Sequence, residues 1–118
     1  MEDLMFAMAF LAVLSLTGAQ SAPEQPLPYD EVVRCAGLTQ AASELEGGET
    51  GEGRTLYDAA LYWSLNATQS ANAAGRTTAV AEAEQTRARI RAVRELSTNN
   101  AEARAGLQRC RARTPRLG

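Results

Sequence analysis

Histidine and lysine are both absent from this 118-residue chain. Without histidine it lacks the usual general base near neutral pH and the commonest metal ligand. Without lysine, Schiff-base chemistry and P-loop phosphate binding are excluded, and no serine has the basic partner that a conventional triad or dyad requires. All twelve basic residues are therefore arginine, which reads either as selection for bidentate anion binding or as the codon preference of a GC-rich genome. Aromatic residues are also scarce, at 5 % of the chain, and alanine is abundant. Small side chains bury little area each, so such a core must gain stability from close helix approach or from a covalent link. No strand-like alternation and no internal repeat occurs anywhere.

The one dense apolar run is Leu4 to Leu16, LMFAMAFLAVLSL, followed by T-G-A-Q-S-A and Pro23. It is shorter than the roughly 20 residues of a membrane-spanning helix, and its polar flank offers signal-peptidase sites. Residues 1–21 are thus expected to be a cleaved signal peptide. Cleavage after Ser21, with Ala19 three positions from the cut, or after Ala19 fits the small-residue rule better than cleavage after Ala22. The expected location is periplasmic or secreted. Glu2 and Asp3 are unusual in a segment that is normally basic, and the first arginine is Arg34. Either the free amino group supplies the charge or Met5 is the true start; an uncleaved anchor is the alternative. No cysteine lies near the cut to accept lipid.

Cys35 and Cys110 both follow this segment, and in an oxidising compartment an even pair is read as a disulfide. Closing a loop of this length restricts the unfolded chain by about 4–5 kcal/mol on the entropy model. Two buried free thiols are the alternative, and no C-x-x-C spacing supports a redox-active pair.

The rest reads as an all-α, up-down bundle of three to four helices over residues 29–114, with the disulfide joining the first helix to the last. Residues 22–28 (APEQPLP) form a proline-rich extended approach, in which Pro28 can open the first helix; residues 115–118 form a tail. The spacing of Tyr29, Val32, Val33, Ala36, Leu38, Ala42 and Leu45 predicts that helix over about 29–46, with Asp30 and Glu31 at the positive end of its dipole. GGETGEG, residues 47–53, reads as a loop. A second helix is expected over about 55–74, capped by Thr55 with Asp58. Its narrow face is Tyr57, Ala60, Leu61, Ser64, Thr68 and Ala71, flanked by Leu56, Trp63 and Leu65. Gly75 is the expected stop, although one long helix running through it is an alternative. The third helix, about 77–96, has Val80, Ala83, Thr86, Ile90, Val93 and Ser97 at bundle spacing. Asn99 with Glu102 predicts the cap of a fourth helix, about 100–113, whose inner face is Ala103, Leu107 and Cys110. The acceptor triplet at Asn66 falls inside a helix and reads as chance.

Charge is segregated along the chain. Residues 22–86 hold ten acids and three arginines, whereas residues 87–118 hold nine arginines and two acids. Arg87, Arg91 and Arg94 share one helical strip, and Arg109 and Arg113 repeat the spacing. This is a candidate anion-binding surface for lipid A phosphates or an acidic partner. The alternative is that the basic and acidic segments largely neutralise each other. Nucleic acid fits poorly, because the compartment is wrong and neither net basic charge nor aromatic interleaving is present. Membrane contact is expected only through an uncleaved leader or through weak binding to anionic lipid.

No cofactor and no metal site is expected. Glu46, Glu49 and Glu52 cluster in a glycine-rich stretch that cannot by itself hold rigid ligand geometry. Tyr57, Tyr62 and Trp63 could line a pocket, but core packing accounts for them. The functional expectation is a non-catalytic exported protein that binds an envelope component or secreted partner. One alternative is an immunity- or inhibitor-type protein whose acidic loop 46–53 occupies a toxin or lytic enzyme. Another is a carboxylate-dependent cell-wall hydrolase.

Overall fold

The computed structural model describes residues 26–116, and the expected signal segment lies outside that range. The described chain is all-helical, with α1 at Tyr29–Glu46, α2 at Gly51–Ala73, α3 at Thr78–Ser97 and α4 at Ala101–Ala112. Among the described residues there is no strand, and none of the helices is long and apolar enough to cross a membrane.

α1 starts and ends where its periodicity predicts. Pro28 stands at its N-cap, and the Pro28 carbonyl accepts from the amides of Glu31 and Val32 at 3.0 and 3.1 Å. Val32, Val33, Cys35, Ala36, Gly37, Leu38, Thr39, Ala41 and Ala42 are all buried. Such consecutive positions surround the helix axis rather than forming one stripe, which makes α1 the central element, with α2, α3 and α4 all packed against it. Buried Thr39 satisfies its hydroxyl by donating to the Cys35 carbonyl at 2.7 Å.

α2 begins four residues before the expected start. Thr50, not Thr55, is the cap, and its Oγ1 accepts from the Gly53 amide at 2.8 Å. Glycines at 51 and 53 argue locally against helix. Packing overrides that preference, because a Cβ on Gly53 would stand 1.7 Å from the Gly47 carbonyl oxygen. The loop is therefore 47–50 rather than 47–53.

The inward face of α2 also differs from the expected one. Leu56, Ala59, Ala60, Trp63, Ala67 and Ala71 are buried, whereas Tyr57, Leu61 and Leu65 are exposed. The same substitution of small for large occurs on α3, where Ala81 and Ala92 are buried while Val80 and Ile90 are exposed. Helices that approach closely have room for alanine at the contact, and the larger side chains turn outward. Leu45, expected on the inner face of α1, is exposed as well.

Two left-handed residues end the middle helices. Gly75 (φ 75°) closes α2, with its amide donating to Asn72 and that of Arg76 to Ala71. Asn99 (φ 57°) closes α3 in the same way, onto Leu96 and Glu95, and both have the Schellman pattern. α2 and α3 are therefore separate helices. Because Asn99 is used as the stop, the cap of α4 is Asn100, whose Oδ1 accepts from the Ala103 amide at 2.8 Å.

The disulfide Cys35–Cys110 joins the first helix to the last, with Cα atoms 5.5 Å apart. α4 presents Ala103, Gly106 and Cys110 inward, with Leu107 partly buried against the same core. A second tie runs from Trp63 Nε1 to Thr114 Oγ1 at 2.8 Å, and the Thr114 hydroxyl donates onward to the Cys110 carbonyl at 2.8 Å.

Candidate anion-binding cleft

Beside the disulfide, α1 and α4 leave a cleft of about 320 Å³. α1 contributes Glu31, Arg34, Cys35 and Leu38 to its wall, and α4 contributes Glu102, Gly106, Arg109, Cys110 and Arg113. The α4 residues recur at three- and four-residue spacing and so share one face. Leu27, from the proline-rich approach, closes the remaining side. Gly106 keeps the wall open, since a Cβ there would stand 3.2 Å from Leu38 Cδ1 and 3.5 Å from Arg109 Nη2.

Arg34, Arg109 and Arg113 line the cleft together with the apolar Leu27, Leu38 and the disulfide. Arg34 is held in place by its bond from Nη1 to Glu95 Oε1, at 2.8 Å. Arg91 Nε lies 3.4 Å from the other oxygen of the same carboxylate. The Arg34 hydrogen bond is the main reason that the Glu95 carboxyl titrates below its ordinary value; burial opposes this, and the charges of Arg34 and Arg91 assist. Arg109 is exposed, and Arg113 lines both this cleft and the adjoining groove of Pro26, Tyr62 and Trp63. An arrangement of forked cationic donors above apolar atoms suits an anion that carries an apolar portion.

The expected arginine surface is thus divided. Arg109 and Arg113 line the cleft. Arg91 reaches it indirectly, through Glu95 and Arg34. Arg87 and Arg94 are exposed on α3 and do not line it. Arg34 was not among the residues singled out by spacing; its position next to Cys35, opposite the helix that bears Cys110, is the signal that could have found it.

The acidic trio is dispersed. Glu46 ends α1 and accepts from the Thr50 hydroxyl at 3.3 Å, Glu49 lies in the loop, and Glu52 lies in the first turn of α2. Glu52 pairs with Arg111 of α4, whose hydrogen bond holds its carboxyl below the ordinary value. Arg89 and Glu44 make a further link between the basic and acidic segments, at 3.2 Å. Glu84 bonds Tyr29 and Arg76. The Arg76 guanidinium lies 4.5 Å from the Tyr29 ring centre. Burial and the Glu84 bond push the Tyr29 hydroxyl up.

Of the aromatic group, Trp63 is buried and meets Tyr62 edge-to-face at 5.1 Å, while Tyr57 points outward. Among the described residues, no group of three or more Cys, Asp or Glu side chains is gathered closely enough to hold a metal ion. No family model, no curated protein and no solved structure matches the chain.

Proposed function

We propose that this is a non-catalytic exported binding protein that holds an anionic, partly apolar envelope component in the cleft between α1 and α4. The observation that carries the reading is the convergence of Arg34, Arg109 and Arg113 on one apolar-floored cleft. The disulfide supports an oxidising compartment, because such bonds persist there and are rare where glutathione keeps thiols reduced. Glu31 and Glu102, on the same wall, oppose a bare polyanion and favour a ligand with a single compact anionic group. A lipid phosphate with its acyl chain on the Leu27–Leu38 floor has that chemistry.

Co-sedimentation of the purified protein with phosphatidylglycerol vesicles, against phosphatidylcholine vesicles, tests this. Binding is expected only to the anionic vesicles. Arg109→Ala is expected to weaken it about tenfold, the effect of losing one charge-assisted contact, and Arg87→Ala much less. Equal binding to both vesicles, or equal loss with both variants, would count against the cleft.

A further inference from the structure

The outward face of α2 lies apart from the cleft and has a different character. From Ala59 to Gly75 the chain carries no charged residue, although 22 % of the whole is charged. On this face Tyr57, Leu61 and Leu65 are 56, 45 and 64 % exposed. Loss of charge around exposed leucines is the composition of an interface core. Arg54, Asp58, Leu61, Leu65, Thr68 and Asn72 are all exposed. They recur at the alternating four- and three-residue spacing of a two-helix coiled-coil seam, with leucine at the two central positions and polar side chains at the outer four.

We infer that α2 pairs with α2 of a second copy of this chain, antiparallel, with Leu61 of each copy packed on Leu65 of the other. The commitment to a second copy rests on the polar flanks. A two-fold axis between the leucines fixes every other pairing. Arg54 then faces Asn72 of the second copy, and Asp58 faces its Thr68. The Arg54 guanidinium donates to the Asn72 side-chain carbonyl. The Thr68 hydroxyl, which in the single chain donates to its own Ser64 carbonyl at 3.0 Å and accepts from Gln85 Nε2 of α3 at 3.4 Å, keeps the second bond and turns its proton to Asp58. Both ends of the seam thus satisfy charged groups without a like-charge contact. A parallel pairing sets Arg54 on Arg54 and Asp58 on Asp58, a repulsion that selects against it.

Sedimentation of the purified protein from about 1 μM to 1 mM, with whichever N-terminus the cell leaves on it, tests the proposal. A monomer–dimer equilibrium is expected. Leu61→Glu and Leu65→Glu should each raise the dissociation constant at least about tenfold, with helicity unchanged because both positions are exposed. Ile90→Glu, at an exposed apolar position on α3, should leave it unchanged. Asn72→Asp should tighten the dimer by adding a carboxylate opposite Arg54, whereas in a parallel dimer it would weaken association by facing itself. A monomer throughout the range overturns the proposal, as does a dimer indifferent to both leucine variants or one weakened by Asn72→Asp. Shielding of Leu61 and Leu65 only in chains that retain residues 4–16 also overturns it, in favour of that segment as the occupant.

Discussion

Gly37 of α1 and Ala88 of α3 meet backbone to backbone: a Cβ built on Gly37 would stand 2.6 Å from the Ala88 carbonyl carbon and 2.8 Å from its Cβ. This contact explains how a helix as small-sided as α3 holds its place. Alanine on glycine brings the two main chains together, and Ala92, Val93 and Leu96 complete the contact with the core.

Gly37→Ala is therefore expected to destabilise the protein. Alanine favours the helix by roughly 1 kcal/mol, but the clash is with main chain, which cannot rotate away, and overpacking of this kind costs about 1–3 kcal/mol. The expected net loss is up to about 2 kcal/mol, seen as a lower urea midpoint at unchanged slope. Gly48→Ala, whose Cβ would meet nothing within 4 Å, is the control and should be near neutral.

The same crossing marks the boundary of what the sequence made legible. The helices, the stop at Gly75 and the pairing of Cys35 with Cys110 rest on local signals: apolar period, left-handed glycine and cysteine parity. The faces of α2 and α3 were misjudged because side-chain size was taken as a guide to burial. Where backbones touch, Ala67 and Ala92 are inside and Leu65 and Ile90 are not. The early start of α2 was hidden for a related reason, since Gly53 is needed under the Gly47 carbonyl and reads in isolation as a loop residue. Arg34 escaped notice because its role in the cleft depends on a helix that begins about 70 residues later.

Reduction of Cys35–Cys110 should cost much of the protein's stability. The cross-link spans 75 residues, for which the chain-entropy estimate is about 4–5 kcal/mol. A domain of this size is stable by only about 5–13 kcal/mol. A fall in melting temperature of roughly 20 °C is expected on adding reductant. Hydrogen exchange should show α4 opening first, because it is the shortest helix and loses its covalent tie. Anionic-vesicle binding should weaken with it, since Arg109 and Arg113 are seated through α4.

Thr114 is expected to matter more than a residue next to the tail ordinarily would. It accepts from the indole N–H of Trp63 and donates to the Cys110 carbonyl, both at 2.8 Å. Thr114→Val keeps the shape but leaves the indole N–H without its acceptor, at a cost of about 1–3 kcal/mol. Trp63 is the sole tryptophan, so its fluorescence reports the loss directly. Thr114→Ser should restore both stability and emission.

The carboxylate of Glu95 ties α3 to the cleft, and its titration gives a signed test. Its folded pKa lies below the ordinary 4.5, chiefly because Arg34 donates to it. A depressed carboxylate stabilises the fold fully above its unfolded value and loses that contribution as pH falls through the folded one. Glu95→Gln should thus be less stable than the parent at pH 7, by about 1 kcal/mol for a pair whose side chains are 27 and 21 % exposed. The two melting temperatures should converge as the pH is lowered from 4.5 through the folded value. A gap that stayed constant across that window would assign the effect of the substitution to packing instead. Vesicle binding provides the second readout: without the Glu95 carboxylate the charge of Arg34 at the cleft is no longer neutralised, so the Gln variant should bind anionic vesicles at least as tightly as the parent at neutral pH, although it is less stable.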